Sequence, residues 1–183
     1  MQRLRGSIAA CVGALFVLLG AAPAAAKSGL ELYGDIAQIA IPGFAGVASL
    51  YRKDYDGALQ LAVGTSATLA LVGGIKYAAN TERPDGGARS FPSGHTAAAF
   101  AGASYLHYRY GWEWGLPTYV AAAVVGYSRV EADRHYWYDV VAGAAMANLI
   151  AYVVTDRFDE DVVIIPVLDL GKHDFGLLAR FRF

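Results

Sequence analysis

The sequence predicts an all-α fold: a membrane-type bundle of five core helices that follows an N-terminal signal or extra helix. Hydrophobic residues make up 56% of the 183 residues and charged residues only 17%, below the roughly 25% charged residues of an average soluble protein. Alanine is frequent in the apolar segments and favours helix over strand. Small residues also let helices pack closely within a membrane. A chain of this length is typical of a single domain.

Five apolar segments account for the five helices. They span residues 35–51 (interrupted by Pro42), 57–75, 95–108, 116–127 and 136–154. A helix needs about 20 apolar residues to cross a bilayer, so the second and fifth segments are long enough and the third and fourth are short. The alternative interpretation is a soluble helical domain whose alanine-rich helices are buried.

Both ends of the chain differ from the bundle. Arg3 and Arg5 precede an apolar run and then "PAAAKS", which predicts a signal peptide over 1–26, or alternatively an uncleaved first transmembrane helix. The helical domain follows over 27–157. The tail, 158–183, combines β-branched residues with a polar turn, which predicts a β-hairpin.

Composition also excludes some functions. The net charge of −1 offers no basic face, so the sequence predicts no nucleic-acid partner. Cys11 is the single cysteine, which excludes an internal disulfide and a multi-cysteine metal site.

The polar residues of the apolar region fall in connections that an alternating topology brings to one side. One connection follows the second predicted helix, and the other joins the fourth to the fifth. Together they hold cations, histidines and one carboxylate: Lys76, Arg83, His95, Arg129, His135 and Asp139. Asp139 lies four residues after His135, so on a helix both side chains share a face.

This set of side chains suits phosphoryl transfer. Several cations match a phosphate monoester, which carries nearly two negative charges near neutral pH. Residues 92–95, "PSGH", lead into a helix, and helix N-termini bind anions through free N–H groups. A histidine supported by a carboxylate can attack phosphorus, and a second histidine can protonate the leaving oxygen. None of these steps requires a metal.

Three blocks carry a resemblance to the type 2 phosphatidic acid phosphatase family: "KYAANTERP" at 76–84, "PSGH" at 92–95 and "SRVEADRHYWYD" at 128–139. This family shares its site with class A acid phosphatases and vanadium haloperoxidases, and the resemblance spans roughly residues 57–155. It implies that His135 is the nucleophile that becomes phosphohistidine, that Asp139 orients it and that His95 is the general acid. The implied phosphate ligands are Lys76, Arg83, Ser93, the amide of Gly94 and Arg129, supported by Pro84, Pro92 and Ser128.

The resemblance therefore implies a metal-independent phosphatase for phosphate monoesters or pyrophosphates of membrane lipids. It implies no cofactor, inhibition by vanadate, a lipid bilayer around the helices and an inner-membrane location with a periplasm-facing site. A soluble periplasmic acid phosphatase and a vanadate-dependent haloperoxidase would use the same residues. Two other classes stay open: a metal hydrolase whose metal ligands are Glu131, Asp133, His135 and Asp139, and a phospholipid-binding protein without catalysis.

Overall fold

The computed structural model describes residues 26–158 and the backbone of the stretches 162–169 and 174–181. Its elements are α1 (Ala26–Tyr51), α2 (Tyr55–Ala79), α3 (Gly94–Tyr110), α4 (Trp112–Glu131), α5 (Trp137–Val154), β1 (Val162–Asp169) and β2 (Asp174–Phe181). The five-helix bundle and the C-terminal hairpin are both as predicted; the two strands pair antiparallel. The predicted signal peptide lies almost wholly outside the described residues, so it stays a prediction, as do the domain limits.

Two boundaries differ from the sequence prediction. Pro42 does not interrupt the first helix; α1 continues through it. A Cβ atom on Gly102 of α3 would lie 2.6 Å from Pro42, so α3 packs closely against α1 at this point. The sequence prediction also left residues 109–115 between its third and fourth helices, whereas Gly111 alone separates α3 from α4. The φ of Gly111, 91°, lies in a region that favours glycine.

Helix α3 is the centre of the bundle and contacts each of the other four helices. Its buried positions are mostly small, including Ala97, Ala99, Gly102 and Ala103. Small side chains allow helix backbones to approach closely. Helices α3 and α5 also approach closely, because a Cβ atom on Gly143 would lie 2.5 Å from the carbonyl oxygen of Ser93, the N-cap residue of α3.

The outer surface of the bundle is apolar. Helices α2 and α5 are long and apolar enough to cross a membrane, yet only 22% and 28% of their apolar windows are buried in the protein. A core helix of a soluble protein would be mostly buried. Large side chains such as Leu59 and Val153 are instead 63% and 74% exposed. This pattern suits a surface that contacts lipid and indicates a membrane protein.

A buried polar cluster fixes the end of the bundle opposite the connections that carry the site residues. Arg109 of α3 donates two hydrogen bonds, at 2.6 and 2.8 Å, to the carboxylate of Asp54 between α1 and α2. The hydroxyl of Tyr110 donates to the same carboxylate at 2.7 Å. Because both charged groups are buried and fully paired, loss of either partner would leave an uncompensated charge.

The close approach of α3 and α5 predicts that Gly143→Ala is destabilising. The added methyl would clash with the backbone at Ser93, and overpacking of this kind costs about 1–3 kcal/mol. Gly73→Ala is the matched control, because no atom lies within 4 Å of its Cβ position; it should stabilise the helix by about 0.5–1 kcal/mol. Thermal unfolding in detergent, followed by circular dichroism, measures both. Equal melting temperatures would contradict this packing.

Candidate active site

Lys76 anchors the polar connection that follows α2. It lies in the last turn of this helix. The C-cap residue, Asn80, adopts the left-handed conformation with a φ of 43°. A cation in the last turn is favoured by the helix dipole. The Lys76 ammonium donates hydrogen bonds to the carbonyl oxygens of Arg89 and Ser90, at 2.6 and 2.9 Å. The lysine thereby closes the connection and brings its far end back to α2.

Ser93 and Gly94 form the N-terminus of α3 beside this lysine. The fully buried hydroxyl of Ser93 caps the helix and lies 2.9 Å from the hydroxyl of Thr96. A Cβ atom on Gly94 would lie 3.8 Å from the Lys76 side chain. The free amides of this helix end therefore lie next to the lysine, an arrangement that suits an anion. The Ser93 hydroxyl is engaged in capping α3.

His135 and Asp139 form a buried pair at the start of α5. The Nδ1 atom of His135 lies 3.4 Å from Oδ2 of Asp139, and the side chains are 3% and 0% exposed. Ser90, which the sequence analysis did not single out, donates a short hydrogen bond to the same carboxylate oxygen. Because Nδ1 faces the carboxylate, Nε2 is the His135 nitrogen left for a substrate.

Asp139 makes further hydrogen bonds through both its carboxylate and its backbone. Its carboxylate accepts a hydrogen bond from the Tyr136 N–H at 3.0 Å, and its carbonyl oxygen accepts one from the Ser93 N–H at 2.9 Å. Within the described part of the chain, its Oδ1 atom is buried without a hydrogen-bond partner. Asp139 thus links α5, the connection after α2 and the N-terminus of α3.

Arg83 carries a second buried polar atom that is available to bind a ligand. Its Nε is buried and finds no hydrogen-bond partner among the described residues. The backbone around it is a tight turn, in which the Arg83 N–H donates to the Gly87 carbonyl at 2.7 Å. Buried donors are nearly always satisfied, so this arginine has unused capacity to bind an anion.

Arg129 and His95 meet at a residue of α1. Arg129, 2% exposed, donates to Oδ1 of Asp35 at 2.7 Å and to the Glu31 carbonyl at 2.5 Å. The Nε2 atom of His95 lies 3.1 Å from the same Asp35 oxygen. Ser128, predicted as a supporting residue, accepts a hydrogen bond from Arg129 Nε at 3.0 Å. In this structure a carboxylate therefore engages two of the predicted site residues.

The charge of the site favours a neutral His135. Burial lowers the pKa of its imidazole below the ordinary value of 6.5, and the charges of Lys76 and Arg83 lower it further, while Asp139 raises it. These effects place Lys76, Arg83 and Asp139 around the His135 ring. A neutral imidazole with Nδ1 protonated toward Asp139 is the form that can act as a nucleophile through Nε2.

The structure brings the predicted site together at one end of the bundle. The charges of Lys76 and Arg83 act on His135 of the His135–Asp139 pair, and Gly94 lies beside Lys76. His95 and Arg129 meet at Asp35; Pro92 is buried and Pro84 exposed. Arg134 bridges Glu31 and Asp85 at 3.1 Å each. Within the described range, no group of three or more His, Cys, Asp or Glu residues is placed to hold a metal, so the alternative metal shell is not assembled.

Sequence reasoning missed Ser90, Asp35 and Glu31. Ser90 adjoins the "FPSGH" block, and a hydroxyl beside a matched motif was the available signal. Asp35 is a carboxylate in an otherwise apolar helical segment, and ionisable residues in such segments commonly mark functional sites. Glu31 gave no signal, because its contact with Arg129 is made by a backbone carbonyl.

Comparison with known proteins shows the family to which the chain belongs. The family model of the PAP2 superfamily matches residues 57–161. A lipid A 4'-phosphatase of Helicobacter pylori is 37% identical over 141 residues, covering 70% of this chain and 71% of that one. A lipid A 1-phosphatase of Porphyromonas gingivalis is 35% identical over 143 residues, covering 72% of this chain but 31% of that one. The chain belongs to the PAP2 superfamily, as its three sequence blocks predicted.

Solved structures support the same helical bundle. The crystal structure of Aquifex aeolicus LpxE superposes with a TM-score of 0.62 at 21% identity, covering 78% of this chain and 92% of that chain. A transmembrane PAP2 type phosphatidylglycerolphosphate phosphatase from Bacillus subtilis gives a TM-score of 0.51 at 21% identity, over 82% and 93% of the two chains. At this identity the likeness concerns the fold.

The environment of His135 predicts its titration. The pKa of His135 should lie below 6.5 because burial and the nearby cations disfavour the imidazolium. Asp139→Asn should lower it further, since the carboxylate is the group that raises it. NMR of ¹³C-histidine-labelled protein in detergent measures both, with His135→Asn to assign the signal. A wild-type value at or above 6.5 would contradict the described burial and charge.

Proposed function

We propose that this protein is a metal-independent phosphatase that hydrolyses phosphate monoesters of membrane lipids through a phosphohistidine at His135. The observation that carries the proposal is the buried His135–Asp139 pair beside Lys76 and Arg83. A carboxylate holds one ring nitrogen at 3.4 Å, and two cations are close enough to lower the pKa of the ring. Membership in the PAP2 superfamily supports this role for the pair.

The first half-reaction follows from this arrangement. Nε2 of His135 attacks phosphorus while Nδ1–H stays bonded to Asp139, which stabilises the imidazolium that develops. Lys76, Arg83, Arg129 and the Gly94 amide meet the charge on the phosphoryl oxygens, the main contribution in phosphoryl transfer. The P–O ester bond breaks, and the leaving oxygen takes a proton from His95.

Water completes the cycle. With His95 now neutral, it can accept a proton from the water that attacks phosphohistidine, which releases phosphate and restores both histidines. The fixed cations supply the charge stabilisation for which other hydrolases use a metal ion. The proposal requires no cofactor, and vanadate, which resembles the pentavalent transition state, should inhibit by binding at the same cations.

The substrate is proposed to be a phosphorylated lipid of the lipid A type. Two relatives at 37% and 35% identity are named as lipid A phosphatases, and the apolar exterior of α2 and α5 suits a bilayer. The site lies at one end of the bundle, where α2 ends and α3 and α5 begin, so a lipid headgroup could reach it from the membrane surface. We further propose an inner-membrane location with this end facing the periplasm.

Phosphate release by the purified protein in detergent, with EDTA present, tests the proposal. The substrate panel contains lipid A, phosphatidic acid and water-soluble esters. We expect turnover with lipid A preferred, and a loss of about 10³-fold or more in His135→Ala, because the nucleophile is removed. His107→Gln is the matched control, since His107 lies at the opposite end of α3 beside Tyr119.

Each contrary result has a defined meaning. Turnover that EDTA abolishes would replace the proposal with a metal hydrolase. Activity retained in His135→Ala would remove the phosphohistidine. Turnover of soluble esters alone would favour the acid phosphatase alternative, and bromide oxidation with vanadate and peroxide would favour the haloperoxidase.

A further inference from the structure

We infer that Asp35 of α1 is a positioning residue for the general acid: its carboxylate holds and orients the His95 imidazole. This inference rests on the proposed phosphatase function. Its first observation is geometric, because Oδ1 of Asp35 lies 3.1 Å from Nε2 of His95. With Nε2 engaged by a carboxylate, Nδ1 is the His95 nitrogen left to face a leaving oxygen.

The carboxylate of Asp35 is itself held in place. Arg129 donates to the same oxygen at 2.7 Å and reaches the Glu31 carbonyl, one turn earlier on α1, at 2.5 Å. Arg129 is buried, whereas the Asp35 side chain is 49% exposed. A buried arginine thus fixes a carboxylate that would otherwise be mobile at the edge of the bundle, and the fixed carboxylate sets the His95 ring.

Helix α1 is shaped for this contact. A Cβ atom on Gly34 would lie 2.1 Å from the Ser128 hydroxyl oxygen and 2.4 Å from the Arg129 guanidinium. Gly34 therefore leaves the space beside Asp35 that the Ser128 and Arg129 side chains occupy. The family model begins at residue 57, so Gly34 and Asp35 lie outside the segment that defines the superfamily.

The two histidines then have parallel arrangements with opposite roles. Asp139 faces Nδ1 of His135 and leaves Nε2 for phosphorus, while Asp35 faces Nε2 of His95 and leaves Nδ1 for the leaving oxygen. The charged groups around His95 are Asp35 on α1, Lys76 on α2 and Arg129 on α4. Burial and the charges of Arg129 and Lys76 lower the pKa of His95, and the Asp35 carboxylate is the group that raises it.

The step in which Asp35 acts is the breaking of the P–O ester bond. The bonding electron pair stays on the leaving oxygen, the proton passes to it from His95, and the phosphoryl group is transferred to His135. An alkoxide is a strongly basic leaving group and needs this proton, whereas a nitrophenolate is stable without it. A defect in the acid therefore depends on the leaving group.

The test compares lysophosphatidic acid, an alkyl phosphate, with p-nitrophenyl phosphate in wild type and Asp35→Asn. We expect kcat to fall about 10- to 100-fold for the alkyl ester, part of the range that a general acid contributes, and less than about 3-fold for the aryl ester. Glu31→Gln, on the same helix as Asp35, is the matched control, since the Glu31 side chain pairs with Arg134 and not with His95. In a His95→Ala background, Asp35→Asn should add little.

Several results would overturn the inference. Equal losses of kcat on both esters, or a rise in KM alone, would show that Asp35 acts by holding Arg129 or by stabilising the fold. Faster turnover or stronger vanadate inhibition in Asp35→Asn would show that the carboxylate competes with phosphate. Asp35→Ser carries the same expectation and replaces the asparagine variant if that protein does not fold. A wild type without turnover on either ester would remove the proposed function and this inference with it.

Discussion

The site depends on the interactions of Asp139, a fully buried carboxylate at the start of α5. Its Oδ2 atom contacts Ser90, the Tyr136 N–H and His135, and its backbone carbonyl accepts from Ser93. A buried charge is tolerated only when it is well compensated. The same contacts that compensate this charge connect the loop after α2, the N-terminus of α3 and the turn before α5, so folding of this end of the bundle and assembly of the site are one process.

The rest of the bundle keeps that end in place while exposing little polar surface along its sides. Small residues on α3 allow neighbouring helices to approach, as the contact between Gly143 and Ser93 shows. At the opposite end, the Asp54–Arg109 pair connects α3 to the turn between α1 and α2. Charges therefore gather at the two ends of the helices, and the apolar faces between them suit lipid. This distribution explains how a protein so poor in charge can assemble a cationic site.

Much of the fold and the site could be predicted because both depend on local patterns. Apolar segments predicted five helices. The spacing of His135 and Asp139 predicted their proximity, although His135 lies just before α5 and so does not share a helix face with Asp139. Asp35 could not be predicted as a neighbour of His95 and Arg129, since those contacts span 60 and 94 residues of sequence. Pro42 was misleading for a related reason, because the helix continues through it where it packs against Gly102, a tertiary contact.

Trapping the covalent intermediate tests the central claim most directly. The protein would be mixed with ³²P-labelled lipid A, quenched in alkali within the first turnover and digested for peptide mapping. Phosphohistidine is stable in alkali and labile in acid, so the account predicts an alkali-stable label on the peptide that contains His135, absent from His135→Ala. A label on another residue, or turnover without any covalent label, would contradict a phosphohistidine at this site.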